Sequence, residues 1–265
     1  MTHFSQPSFL SGPPRPLVLT MDGQGKTPFE FYRLIASPVQ PSFLLDSGKR
    51  TDSGSRYSFL GSNPYLLLTG RQGRTSVRTR EGREYSSEDP FGSLCRLFAH
   101  PQIEPPPNLP PFWGGAVGYF SYDLVREFET LPSIAKDDLL LPDLQFGLYD
   151  IVTAIDHYAD RLQIIYCPPI ERFLGEPREK LYREGLDRLA EWEATLSGRP
   201  APIKNVLSLD QTAFRLNQAR DAYLDRVLRC QEYIAAGDIY QANLSHRFTF
   251  QPPGAYPDGT DRQKY

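Results

Sequence analysis

Asp46-Ser47-Gly48 and Ser55-Arg56-Tyr57 are the residues of this chain best equipped to hold a ligand. Two short segments that carry hydroxyls and a guanidinium at the ends of extended runs can take the ammonium and the carboxylate of an amino acid. The guanidinium fork suits a planar carboxylate, and aromatic rings nearby suit an apolar side chain. The same residues also read as a pair of ordinary polar turns, and both readings stand at this level. Gly114-Gly115-Ala116-Val117-Gly118 invites a phosphate-binding reading, but a phosphate cradle needs its glycine loop to feed a helix N-terminus. Here the glycines run into Tyr119-Phe120-Ser121-Tyr122, so a strand packed closely against another backbone fits better. The four histidines, His3, His100, His157 and His246, lack ligand-like spacing and are expected in surface or packing roles, with no metal site built within the chain. No nucleophile elbow or Ser/His/Asp order stands out. By themselves these residues describe a mixed α/β binding domain, with no catalytic constellation.

The composition narrows the class further. A chain of 265 residues with 40% hydrophobic and 12% aromatic content can bury a real core in one large domain or two small ones. Its net charge of −3, from 29 basic and 32 acidic residues without a long single-sign block, argues against nucleic acid or a membrane as the main partner. Cys95, Cys167 and Cys230 are far apart, odd in number and show no CxxC spacing, which argues against a disulfide framework or a zinc site and fits a reducing cytosol. The N-terminus lacks the basic and apolar regions of a signal peptide, and no run approaches the ~18 apolar residues of a membrane span. The expectation is a soluble, cytoplasmic protein.

The candidate ligand residues need strands and helices to place them. Thr27-Pro28-Phe29-Glu30 predicts a helix start, with Thr27 as cap, Pro28 in the first turn and Glu30 closing a capping box; Phe31, Leu34 and Ile35 give it a buried stripe. Strands are expected at 42–48, 55–61, 65–69 and 75–79, which together predict an antiparallel sheet. Asp89-Pro90 repeats the cap-then-proline pattern before a helix through Leu94 and Leu97. After a proline-rich connector come the glycine-laced strand at 112–123, a short helix over 124–131, and a hairpin whose arms are 151–155 and 162–166. Leu181, Leu189, Trp192 and Leu196 keep helical spacing, and residues 197–211 read as a linker. Asn217 is the expected cap of the next helix, whose face includes Tyr223, Val227, Cys230 and Ile234, and Gly237 is its terminator. Ala242, Leu244, His246, Phe248 and Phe250 then alternate as a half-buried strand.

Several landmarks occur together and in a fixed order. They are Leu44-Leu45-Asp46-Ser47, Ser55-Arg56-Tyr57-Ser58-Phe59-Leu60-Gly61, the run from Gly114 to Asp123, Leu141-Pro142-Asp143 with Gly147-Leu148-Tyr149-Asp150, and Gly237-Asp238-Ile239-Tyr240-Gln241-Ala242-Asn243-Leu244-Ser245. In that order they closely resemble the component I family of anthranilate synthase and aminodeoxychorismate synthase, from about residue 15 to 250. The resemblance implies an α+β fold, a largely antiparallel sheet with flanking helices over residues 15–200, followed at 212–265 by the start of a chorismate-binding catalytic domain. It implies an enzyme component that binds chorismate with Mg²⁺ and adds ammonia delivered by a partner glutamine amidotransferase. The wording of the Gly114–Asp123 and Leu141–Asp150 stretches looks more like aminodeoxychorismate synthase, whose product leads to p-aminobenzoate and folate. The alternatives are anthranilate synthase, on the route to tryptophan, or a non-catalytic tryptophan-binding or amidotransferase-docking module.

The resemblance also assigns and withholds residues. The resemblance implies a site for L-tryptophan, which anthranilate synthases and some aminodeoxychorismate synthases hold in their N-terminal domain, and the matching positions are Ser47, Ser55, Arg56 and Tyr57. Where the family commonly has Leu-Leu-Glu-Ser, this chain has Leu44-Leu45-Asp46-Ser47, which keeps the serine and shortens the acid. The family's catalytic lysine and glutamate, its Mg²⁺ carboxylates and its chorismate-binding arginines are expected downstream of Tyr265. No residue of this chain therefore takes a catalytic role, and the isolated chain is expected to be a fragment without chorismate amination activity.

Overall fold

Thr27 starts its helix as the sequence demands. Its side chain accepts from the Glu30 backbone, and the Glu30 carboxylate reaches back to the Thr27 N–H at 2.8 Å, so two otherwise orphaned donors are satisfied reciprocally. The computed structural model describes residues 3–4, 7–10, 12–47, 56–99, 109–132, 134, 137–202 and 214–250. These fall into two units, residues 1–200 and 201–265.

In the first unit the order is β1 (His3–Phe4), α1 (Pro7–Leu10), β2 (Leu17–Asp22), α2 (Pro28–Ile35), β3 (Ser42–Leu45), β4 (Tyr57–Ser62), β5 (Leu66–Arg71), β6 (Arg74–Thr79) and β7 (Glu84–Glu88). There follow α3 (Pro90–Leu97), β8 (Gly115–Phe120), a 3₁₀ turn (Tyr122–Glu127), β9 (Leu144–Tyr149), β10 (Ile151–Asp156), β11 (Arg161–Tyr166), α4 (Ile170–Gly175) and α5 (Arg178–Ser197). Two antiparallel sheets result, with strand orders β1-β2-β11-β10-β4-β3 and β7-β6-β5-β9-β8. The chain passes from the second sheet to the first at Asp150, the single residue between β9 and β10.

β10 is buried along its whole length, because α2 and α5 cover one face of the first sheet and aromatic rings cover the other. On the helix side Leu19, Phe31, Leu60, Ile164, Leu181 and Leu189 form the main core, each fully buried chain contributing roughly 1.5–3 kcal/mol. Leu181, Gly185 and Leu189 recur every four residues and put one stripe of α5 inward. A Cβ on Gly185 would stand 2.6 Å from Leu17 and from the Tyr166 ring, so the glycine lets α5 lie close on β2 and β11. Trp192 Nε1 donates to the fully buried Thr153 hydroxyl at 2.8 Å, which satisfies both polar atoms. In the second sheet α3 packs through Leu94 against Leu68 and Leu144, capped at Asp89, whose carboxylate accepts from the Gly92 N–H at 2.8 Å.

Burial pushes the Cys167 thiol up to about 12, with the Asp150 charge adding to it, whereas Cys95 is exposed. Thiol titration with a disulfide reagent at neutral pH is therefore expected to label Cys95 in the native protein and Cys167 only after unfolding. Rapid native labelling of Cys167 would show that the β11 end opens.

Three expectations are corrected. The short helix placed at 124–131 is a 3₁₀ turn over Tyr122–Glu127, opened by Leu124 N–H on the Ser121 carbonyl and closed by Phe128 N–H on the Val125 carbonyl, both spanning three residues, a geometry used in short pieces. In the second unit β12 (Arg215–Leu216) precedes α6 (Arg220–Ala236), whose cap position is Ala219 and not Asn217. The Asn217 side chain instead accepts from the Arg247 N–H at 3.1 Å. The strand expected over 242–250 shrinks to β13 (Phe248–Thr249), since its partner β12 offers only two residues and strand backbone without a partner has no ladder to join. Gly237 does terminate α6, at φ 81°.

Candidate functional site

β3 and β4 pair from Ser42 with Ser62 to Leu45 with Phe59. Continuing that register by two residues sets Asp46 opposite Ser58 and Ser47 opposite Tyr57. The hydrogen bonds agree: the Ser47 N–H donates to Ser58 Oγ at 3.0 Å, the Ser47 hydroxyl to the Tyr57 carbonyl at 2.6 Å, and the Ser58 hydroxyl to Asp46 Oδ1 at 2.9 Å. β10 adds Asp156 opposite Tyr57 on the other side of β4. Because side chains alternate, Ser47, Tyr57 and Asp156 share one face of the sheet, and Asp46, Ser58 and His157 share the other.

Arg56 precedes β4 and folds its guanidinium onto Asp156, with Nε at 3.1 Å from both carboxylate oxygens and Nη2 at 2.6 Å from Oδ2. The guanidinium carbon stands 4.9 Å from the Tyr57 ring centroid, within cation–π range. Asp156 is itself fixed by the N–H groups of Tyr158 and Ala159. The Arg56 hydrogen bond holds the Asp156 carboxyl below its ordinary value, and the same bond raises Arg56. The acid is nearly buried while half of the arginine side chain faces solvent. Among the described residues, Asp156 takes the Nε/Nη2 edge of the guanidinium, and Nη1 is left for another acceptor.

The ring of Tyr57 leads into a continuous aromatic wall. Phe59 lies 6.0 Å from Tyr57 and 5.6 Å edge-on from Phe112, and Phe43 lies 4.8 Å from Tyr149. A Cβ on Gly61 would stand 2.5 Å from the Phe43 ring, so this glycine makes room for the wall. Leu45, on the same face, remains exposed.

The chemistry of the row follows from its donors. Ser47 has already spent its one hydroxyl proton on Tyr57, so toward a ligand its oxygen only accepts. Arg56 only donates. The row therefore offers an acceptor at one end, a cationic donor toward the other and an aromatic ledge between them, a pattern matched by an amino acid's ammonium, carboxylate and apolar side chain.

The structure brings Ser47, Arg56 and Tyr57 together, while Ser55 lies outside the described residues. Asp46, read with Ser47 as one cluster, points to the opposite face. Asp156 escaped the sequence reading, while Ser58 entered it only within a landmark run and His157 only in a surface or packing role, although Asp156-His157 is an abrupt polar pair at the end of the apolar run Ile151–Ile155. An open groove of about 960 Å³ over β5–β7 carries Thr69, Ser76, Arg71 and Arg74. Its Arg71 is paired with Asp137 at 2.8 Å and Glu88 shares the lining, which marks a solvated sheet face. Among the described residues no three His, Cys, Asp or Glu converge as a metal site, and no helix is long and apolar enough to cross a membrane.

Residues 40–259 match the family described as chorismate binding enzyme. The chain is 35% identical over 235 residues to anthranilate synthase component 1 of Thermus thermophilus, covering 89% of this chain and 47% of that protein. It is 31% identical over 221 residues to aminodeoxychorismate synthase component 1 of Klebsiella aerogenes, covering 83% and 45%. The chain spans about half the length of the curated relatives it matches. The crystal structure of anthranilate synthase component I from Streptococcus pneumoniae TIGR4 superposes with a TM-score of 0.57 at 25% identity, over 77% of this chain and 45% of that one. The α+β class with antiparallel sheets and flanking helices is thus shared with a solved relative.

Proposed function

Because this chain belongs to the chorismate-binding enzyme family, we propose that it is the N-terminal portion of an aminodeoxychorismate synthase component 1, and that its own contribution is an amino-acid site. The opposed polarity of Ser47 and Arg56 carries the second half of this reading. Ser47 Oγ, fixed by its 2.6 Å bond to the Tyr57 carbonyl, accepts from the ligand's ammonium. Arg56, oriented by Asp156, donates Nη1–H to the carboxylate, and Tyr57 and Phe59 offer their rings to an aromatic side chain such as that of L-tryptophan.

The amination product is proposed from the wording of the Gly114–Asp123 and Leu141–Asp150 stretches. Anthranilate synthase is the second reading, since relatives of both kinds match at similar identity, 35% for the Thermus thermophilus anthranilate synthase and 34% for the aminodeoxychorismate synthase of Salmonella typhimurium. In either case chorismate is the proposed substrate, a glutamine amidotransferase the proposed ammonia source, and Mg²⁺ the proposed metal. The described residues do not provide a ligand set for Mg²⁺, so no step through the metal is assigned to this chain.

Two measurements on the polypeptide expressed from the complete reading frame test this. Chromatography of the product from chorismate and ammonia is expected to give 4-amino-4-deoxychorismate; anthranilate instead would overturn the product assignment. Calorimetric titration with L-tryptophan is expected to show binding that weakens by about tenfold or more in Arg56→Ala, the loss of one charge-assisted contact. Tryptamine, which lacks the carboxylate, should bind the parent protein no better than tryptophan binds that variant. Equal binding of tryptophan and tryptamine would refute the role of Arg56.

A further inference from the structure

We infer that His157 is a positioning residue for the amino-acid site, donating its Nε2–H to Ser58 and so holding the Ser47 segment; only the effect on ligand binding rests on the amino-acid reading above. Ser58 is fully buried, and its oxygen has three polar neighbours: the Ser47 N–H at 3.0 Å, Asp46 Oδ1 at 2.9 Å and His157 Nε2 at 2.8 Å. A hydroxyl has one proton to give and two lone pairs to receive. The Ser47 N–H is necessarily a donor and takes one lone pair. The Asp46 carboxylate accepts and takes the proton. The remaining lone pair faces His157, so Nε2 must carry hydrogen. With that tautomer every valence of the buried hydroxyl is used, whereas an Nδ1–H imidazole would set two acceptors against a single proton.

Among the described residues Ser47 has few partners to hold it. It lies beyond the last ladder pair of β3, Leu45 with Phe59, and is anchored by its N–H on Ser58 and its hydroxyl on the Tyr57 carbonyl. The His157 backbone meanwhile donates to the Arg56 carbonyl at 2.9 Å. One residue therefore braces both arms of the site, the acceptor arm through its ring and the cationic arm through its main chain. It does so from the face of the sheet opposite the proposed ligand, so it acts through Ser58 and touches no ligand atom.

Nitrogen-15 correlation spectra of the histidine rings in this chain are expected to show neutral His157 protonated at Nε2. A neutral Nδ1–H form would overturn the inference without reference to any ligand. Amide exchange at Ser47 is expected to quicken on the order of tenfold in His157→Phe, which keeps a ring and removes the donor, and to stay near the parent rate in His157→Gln, whose side-chain amide restores an N–H. Unchanged exchange in the phenylalanine variant would equally sink it. Should that variant fail to fold, the tautomer and a Ser58→Ala exchange measurement still decide. In calorimetry on the product of the complete reading frame, L-tryptophan affinity is expected to fall in His157→Phe and to return in His157→Gln. Equal affinity in all three proteins would overturn the positioning role. A parent protein that binds no amino acid would remove the amino-acid site while leaving the tautomer and exchange results to decide the brace.

Discussion

Replacing Asp150 by alanine is expected to destabilise the first unit by about 3–5 kcal/mol, the cost of stranding buried charge. Its carboxylate is 2% exposed and accepts from Arg80 at 2.7 and 3.1 Å and from both terminal nitrogens of Arg188. Arg80 also donates to the Asn63 carbonyl at 2.6 Å, and the Arg188 guanidinium stands 5.4 Å from the Tyr166 ring centroid. One residue at the crossing between sheets thereby ties the end of β6 to the middle of α5. Burial alone would push the Asp150 carboxyl up, and the hydrogen bonds from the two arginines outweigh it, so the group sits below its ordinary value. A carboxyl lowered on folding contributes stability that is present above its unfolded value, about 3.9, and is lost as pH falls through the lower folded value. Urea unfolding followed through Trp192 should therefore show a parent-minus-variant difference that is constant between roughly pH 5 and 8 and shrinks in stronger acid. A difference below about 1 kcal/mol at neutral pH would mean that Asp150 is not the tie between the sheets.

What was legible in the sequence was what short-range chemistry dictates. Thr27, Pro28 and Glu30 lie within one turn, and the structure closes the capping box; Asp89 and Gly237 serve as cap and terminator for the same reason. β7 was missed because Glu84-Tyr85-Ser86-Ser87-Glu88 is exposed throughout and shows no apolar alternation. α4 was missed because it is a single short segment behind Pro168-Pro169. In the candidate site, Ser47, Arg56 and Tyr57 could be found because they lie on neighbouring strand ends. Their supports could not, since Asp156 is a hundred residues from Arg56 and His157 is 99 from Ser58, distances that only the β4–β10 pairing closes. The opposite orientation of Asp46 and Ser47 was within reach, because adjacent residues of a strand face opposite sides.

Gly118→Ala is the second large loss, expected at about 3 kcal/mol or more, toward the upper end of overpacking costs. β8 pairs with β9 through Gly118 and Phe146. A Cβ at Gly118 would fall deep within the Gln145 carbonyl oxygen and 2.7 Å from Phe146 Cα. These obstacles are the backbone of the neighbouring strand, which cannot swing aside as a flexible side chain would, so β8 must shift or give up ladder bonds. A melting-temperature drop of roughly 6–12 °C follows for a unit of this size. Gly175→Ala is the matched control: a Cβ there meets nothing within 4 Å, and alanine in a helix gains up to about 1 kcal/mol over glycine. The pair of variants also separates the two ways of reading Gly114–Gly118. A phosphate-cradling loop would tolerate the methyl in the fold and lose an anion, whereas a strand in close backbone contact loses its fold with or without phosphate present. A Gly118→Ala protein that melts with the parent would return Gly118 to the loop reading, and one that melts early, unaffected by added phosphate, leaves Gly118 as the site where one backbone must lie directly on another.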